Sequence, residues 1–401
     1  MNKTRYIFMA LVALVMLGCG ARTSDASGDK AGEVADSVRF KKHVLTRDFL
    51  SEGAAVGDVD RDGKIDVMSG AYWYKAPDWQ PQEIYPPKVF DGAKEYSNSF
   101  LNFSLDVNLD GWVDLIVIDF PGTVAYWYEN PQNKPGHWKQ HVIHEEVTVG
   151  NESPALVDVD GDGRADLLCA DTKEKQMVWL KAPVRKGETT WTKYTISEKN
   201  APGTDRFSHG LGLGDVNNDG RNDVVIRRGW WEAPEDRTQP NWTFHPAELG
   251  EDCSQMHVMD VNGDGLNDVI SASAHRYGIW WHEQHVNADG TSGWTTHELH
   301  KATSQTHSSY LVDINGDGHR DFITGKRFFA HNDTDNDPGA HEPAILYWFE
   351  FTPGQSPYFI PHEIDNDSGS GLNLVVEDIT GDGKLDIVVG NKKGVFVFER
   401  Y

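Results

Sequence analysis

The chain has 401 residues, enough for two or three average domains or for one repeat architecture, so domain number must come from pattern. Sixty-two acidic residues against 37 basic ones give a formal charge of -25, which excludes a protein that grips nucleic-acid phosphates by bulk electrostatics. With 38% hydrophobic residues, 14 Trp, 13 Tyr and 17 Phe, the chain is too aromatic for an acidic disordered polymer.

Lys3 and Arg5 precede an apolar run from Tyr6 to Leu17, a secretory leader too short to span a bilayer comfortably. It ends in Met16-Leu17-Gly18-Cys19, which resembles a bacterial lipobox and predicts cleavage and acylation at Cys19. Residues 1–19 are then a leader, and residues 20–37, small and polar, a flexible tether. The expected location is an exported lipoprotein, periplasmic or on the cell surface, touching the membrane only through its lipid; plain secretion is the alternative. Cys169 and Cys253 fall in different repeats and read as two buried thiols rather than a disulfide. Beyond the leader there is no long amphipathic helical stretch, and Asp-Gly steps are frequent, so residues 38–401 read as all-β.

One nine-residue pattern, D-x-[DNT]-x-D-G-x-x-D, recurs seven times. Its oxygen-bearing positions 1, 3, 5 and 9 are Asp58, Asp60, Asp62 and Asp66, then Asp106, Asn108, Asp110 and Asp114, then Asp158, Asp160, Asp162 and Asp166. The series continues with Asp215, Asn217, Asp219 and Asp223, with Asp260, Asn262, Asp264 and Asp268, and with Asp313, Asn315, Asp317 and Asp321. The last copy has Asp378, Asp382 and Asp386, with Thr380 at position 3. Copies are 45 to 65 residues apart, the length of a four-stranded propeller blade with variable loops. An apolar strand A precedes each loop and strand B follows it. An aromatic strand C comes next (AYWYKAP, VAYWYENP, GWWEAP), then a strand D such as HWKQHVI. The seventh copy ends after three strands, and RFKKHVL at 39–45 reads as its missing fourth, closing a seven-bladed β-propeller.

Alternate carboxylate and amide oxygens around a Gly at position 6 are Ca2+ chemistry, like the first half of an EF-hand loop. The loops hold 23 carboxylates, which repel without cations, so up to seven structural Ca2+ ions are expected, the loop with Thr380 binding most weakly. The alternative is a solvated acidic turn. Loops and aromatic strands together resemble the FG-GAP or VCBS class of seven-bladed propellers, related to the integrin α-subunit head. The second half (FSHGLGLGDVNNDGRNDVV, RRGWWEAP, SQTHSSYLVDINGDG) resembles the propeller domain of aldos-2-ulose dehydratases, which implies a protein acting on sugars.

Counting six residues back from each loop places Glu52, Phe100, Glu152, His209, Ser254, His307 and Leu372 in a ring at the channel mouth, on the face away from the loops. The BC turns on that face add Arg227, Arg228, His275, Arg276, Lys326, Arg327 and His331 from blades four to six, opposite Asp119 and Asp171. Any one of these has a plain reading as a surface or satisfied core residue, and Arg327 could pair with an acid. Convergence favours a site, with His209, His257, His307, Arg227, Lys326, Arg327 and His331 as candidate catalytic residues. The ligand expected is a carbohydrate or other small anion. One reading is a lyase or dehydratase acting by β-elimination, with Arg227, Lys326 or Arg327 on the oxyanion and His209 or His307 as base. A second is a noncatalytic adhesion platform. A third makes His209, His257 and His307, with Glu152, ligands of a transition metal. The long blade-six insertion FFAHNDTDNDPGAHEP is expected to wall the mouth, and the Trp230-Trp231 and Trp280-Trp281 pairs to pack between blades. Since neither His307 nor Arg327 belongs to a loop, replacing either is expected to leave thermal stability nearly unchanged.

Overall fold

The structure, a computed structural model, describes residues 38–332, 337–354 and 356–401. The expected leader and tether lie outside the described residues. Twenty-eight strands form seven four-stranded antiparallel sheets, and no helix occurs among the described residues. Six sheets use consecutive strands. The seventh takes its outer strand from the other end of the chain: Phe40–Thr46 pairs antiparallel with Gly394–Arg400, Phe40 opposite Arg400 and His43 opposite Val397. The blade ring is therefore closed by backbone hydrogen bonds.

Strand B is buried along its whole length in every blade, as in Asp114–Ile118 and Asp386–Asn391, because both its faces meet neighbouring blades. Strand D lies at the rim, and Gln80–Glu83 is exposed at all four positions. The core is a ring of apolar layers, each shared by two successive blades. Leu168 and Trp179 of blade three meet Val224 and Trp231 of blade four, and Val225 and Trp230 meet Met256 and Val269 of blade five. The adjacent Trp230 and Trp231 thus point to opposite faces, as strand alternation requires. Cys169 and Cys253 are both buried and free.

The inner strands are stitched near the axis. Asn373 Nδ2 donates to the carbonyls of Ala54 at 2.7 Å and Asn102 at 2.9 Å, joining blades seven, one and two. A Cβ on Gly53 would sit 1.8 Å from Asn373 Oδ1, so this close approach demands glycine.

Candidate functional site

Strand A runs from the channel mouth toward its loop, and the seven residues six places before the loops are all at most 8% exposed. Three of them, Glu52, Glu152 and His307, meet one guanidinium. Arg327 follows strand B of blade six and reaches across the axis. Its Nε donates to Glu52 Oε2 at 2.8 Å and its Nη1 to Glu152 Oε2 at 2.9 Å, tying blade six to blades one and three. The same Nη1 lies 3.4 Å from His307 Nε2.

Around Glu152 the imidazoles gather. His209 Nε2 is 3.6 Å and His307 Nε2 3.7 Å from Glu152 Oε2, and His209 Nε2 is 3.0 Å from His275 Nε2. Gly210, at φ +84°, lets the chain turn directly after His209, where a Cβ would sit 2.6 Å from Cys253 Sγ. Beyond His275, Asp337 lies 3.7 Å from its Nδ1 and 2.8 Å from His331 Nδ1.

Burial alone would raise the Glu152 pKa, but the adjacent His209 imidazole and the Arg327 charge carry it down to about 2. Burial, reinforced by Arg327, holds His307 well below the usual imidazole value, so it is a neutral base at pH 7. Burial likewise lowers His275, against the pull of Asp337. Asp337 itself is held well below the usual carboxylate range: burial opposes this, and His275 and His331 outweigh it.

The sequence-derived candidates separate. His209, His307, Arg327 and His331 come together; His257, Lys326 and Arg227 do not. His257 lies three residues before its loop, down the channel, with Nε2 2.9 Å from Ser309 Oγ, and burial pushes its pKa to about 4. His275, from the blade-five BC turn, takes its place in the cluster. Lys326 is 1% exposed and its Nζ donates to the carbonyls of Gly339 and Glu342, so it clasps the blade-six insertion instead of facing a ligand. Arg227 pairs with Asp252 at 3.2 Å. The expected cationic arc opposite an acidic half is also corrected: the two halves meet in the middle, because a buried guanidinium needs carboxylates as partners.

Above this floor opens a cavity of about 510 Å³. Glu152, His209, Asp252, His275, Arg327 and His331 form its polar side, while Tyr96, Phe100, Phe120 and Phe207 form an aromatic wall. Phe120 anchors the wall, its ring 5.5 Å from Tyr96, 5.3 Å from Phe100 and 5.6 Å from Phe207. Tyr96 and Phe207 sit in the links between blades, outside the nine-residue loop pattern, so the repeat alone did not point to them. No Trp lines this cavity.

On the opposite face every AB loop folds on its own side chains. Oδ2 of position 1 accepts the N–H of the position 6 glycine at 2.8 to 3.0 Å. Oδ1 of position 5 accepts the N–H of position 7 over the same range. Position 9 is a buried staple. In six blades one of its oxygens takes the N–H of position 2 and the other an N–H at the end of strand C, as for Asp114 with Val107 and Asn130. In blade three the first of these bonds is missing and Asp166 Oδ2 finds no partner among the described residues. Carboxylate oxygens of Asp58, Asp60 and Asp62 lie within 4.8 Å of one another, as do those of Asp158, Asp160 and Asp166, and Asp58 Oδ1 is buried without a partner. Alternate loop oxygens of this kind are the donors a hard cation takes at about 2.4 Å, but in these two loops an ammonium, Lys75 or Lys181, already stands on the position 3 carboxylate.

The FG-GAP-like repeat family matches residues 106–169 and 260–324, from the loop of blade two into blade three and from that of blade five into blade six. No curated protein matches the chain significantly. Among solved structures, BBS1N in complex with ARL6DN aligns with a TM-score of 0.52 at 10% identity, covering 90% of this chain and 96% of that one. A Bacillus licheniformis rhamnogalacturonan lyase aligns at 0.47 and 11% identity, covering 90% and 75%. An Agrocybe aegerita lectin that recognises non-reducing terminal N-acetylglucosamine aligns at 0.44 and 14%, covering 82% and 81%. Identities this low speak for fold alone. The protein is a seven-bladed β-propeller, similar to FG-GAP-like repeats at residues 106–169 and 260–324, with a histidine-rich cavity at one mouth of its channel.

Proposed function

We propose that the mouth cavity is the active site of a carbohydrate lyase or dehydratase that removes a proton beside a sugar carbonyl or carboxylate and expels a β-oxygen. The observation that carries this reading is the convergence of His209, His275 and His307 on Glu152 beside Arg327, at the floor of a cavity with an aromatic wall. Neutral imidazoles are the bases such chemistry needs near pH 7. A proton taken at His209 has a path through the His275 contact toward Asp337 and His331 at the edge of the cavity. The aromatic wall suits the apolar face of a sugar ring, and the volume suits one or two sugar units.

Ring nitrogens of His209, His275 and His307 lie within 4.8 Å of one another, so these three, with Glu152, are the residues that would hold a transition metal. Such an ion would supply Lewis-acid polarisation of the substrate oxygen. At the other face the loop oxygens support structural Ca2+, and the leader-like N-terminus supports an exported lipoprotein, which loss of lipid labelling in Cys19→Ser would check.

The test is to offer keto-sugars and uronate oligosaccharides and follow the absorbance of new unsaturated products, with metal content measured in parallel. His209→Gln and His275→Gln are expected to abolish turnover while the protein remains folded. Binding of sugars without turnover under any metal would replace this reading with the adhesion platform.

A further inference from the structure

The strand C residue just before the one whose N–H the position 9 aspartate accepts changes in step with position 3 of that blade's loop. In blades one and three position 3 is Asp60 or Asp160, and the strand C residue is Lys75 or Lys181. In blades two, four, five and six position 3 is Asn108, Asn217, Asn262 or Asn315, and the strand C residue is Glu129, Glu232, Glu283 or Glu350. Blade seven pairs Thr380 with Glu399. Each loop and its partner therefore present four carboxylates in every blade, but in two blades an ammonium stands among them.

The contacts follow the chemistry. Lys75 Nζ binds Asp60 and lies 3.1 Å from Asp62 Oδ2; Lys181 Nζ binds Asp160 and lies 2.6 Å from Asp162 Oδ2. In the other class Asn108 Nδ2 donates to Glu129 at 3.3 Å and Asn262 Nδ2 to Glu283 at 2.9 Å. The glutamates there are met from strand D by imidazoles, His141 on Glu129 at 2.8 Å and His297 on Glu283 at 2.7 Å, each stacked on a strand C tryptophan. Strand D of blades one and three has Gln82 and Tyr194 opposite the corresponding tryptophans.

We propose that Lys75 and Lys181 are built-in counter-ions that replace calcium in the loops of blades one and three, so that the propeller takes at most five calcium ions. The two loops in which three carboxylates converge within 4.8 Å among the described residues are the ones that have recruited a lysine, which sits on the position 3 and 5 oxygens a calcium ion would use. A divalent ion on those oxygens would stand within a few ångströms of the ammonium and be repelled by it. The Asn and Glu blades keep the same number of carboxylates without a lysine on position 3; in blade four Arg221 of the loop itself meets only the position 5 carboxylate of Asp219.

This inference rests on the reading of the loops as calcium sites, and its test separates the two. The full chain, stripped of metal, is titrated with CaCl2 and its bound calcium counted at saturation. Lys75→Met with Lys181→Met is expected to add two ions per chain, and each single variant one. The reverse exchange in blade two, Asn108→Asp with Glu129→Lys, is expected to remove one; it keeps the charge pairing found in blade one and so guards against misfolding of the methionine variants. Six or seven ions in the unmodified protein, or lysine variants that bind no more than it does, would overturn the proposal. If no variant and no parent chain binds calcium, the loop reading falls and this inference falls with it.

Discussion

One guanidinium shared between Glu52 and Glu152 decides what a mutation at the channel mouth can report. Arg327 is 3% exposed, so removing it strips Glu52 and Glu152 of their shared ion-pair partner, with Lys392 still acting on Glu52, a change that costs about 3–5 kcal/mol. Arg327→Ala is therefore expected to melt well below the parent chain, contrary to the expectation drawn from its distance from the loops. His307→Gln fills nearly the same space and breaks no ion pair with a full charge, so it should keep the melting temperature within a few degrees while abolishing turnover; a large fall in melting temperature would make His307 structural. His257 gives a different signal. Its folded pKa of about 4 lies below the ordinary 6.5, so the folded protein binds its proton less readily than the unfolded chain. The contribution is complete above pH 6.5 and lost as pH falls toward 4, with a ceiling of about 3 kcal/mol. His257→Gln should flatten the acid side of the stability profile and leave activity intact; an unchanged profile would show that His257 titrates normally. Counting along strand A found the ring of Glu52, Glu152, His209 and His307, because strand rise converts residue number directly into depth. The same count puts Ser254, not His257, at the mouth and His257 three residues down the channel, but it says nothing of His275, because depth along strand A does not tell how far a BC turn reaches inward. The pairing of Arg327 with two other blades is a contact across the axis and leaves no local trace in sequence.

At the scale of the blade, the position 9 aspartates act as staples between loop and strand C. Asp114 is 1% exposed, accepts one backbone N–H on each oxygen, and burial raises its pKa to about 8. In Asp114→Asn one oxygen becomes an NH2 facing a backbone N–H, two donors with no acceptor between them. In chelator this variant is expected to lose about 1–3 kcal/mol in a denaturant titration, whereas Asp110→Asn, at the half-exposed tip, should lose much less. Equal losses would mean that the staple carries no special weight. The repeat motif announced each turn, and the aromatic runs announced strand C, because period and composition are set within a single blade. The motif did not reveal that its ninth position is held chiefly by backbone amides, since Asp serves equally well as a cation ligand and as an amide acceptor.

Across the whole molecule, stability depends on a ring in which every apolar layer is shared by two blades, so no blade has a core of its own. The weakest place in such a ring is the one where chain continuity does not help. Here that is the seam inside blade seven, where residues from both ends of the chain pair. The seam is held by the ladder between Phe40–Thr46 and Gly394–Arg400, by Lys42 on Asp365 at 2.7 Å and by His43 on Glu399 at 2.6 Å. Loss of the ladder would uncover the N–H and C=O groups of Gly394–Arg400, an edge rich in Val and Phe that is suited to pairing with another copy. The full chain lacking residues 38–47 is accordingly expected to lose its single cooperative melting transition and to aggregate on warming. Addition of a peptide with the sequence of residues 38–47 should restore the transition and suppress aggregation, because it can refill the same edge in register. Breaking the ladder more gently, with Val44→Pro, should shift the transition downward without splitting it, as the ring stays closed on either side of the lost bond. A deletion variant that melts at the parent temperature, monomeric and with one transition, would show that the seam does not hold the ring and that the inter-blade layers suffice by themselves.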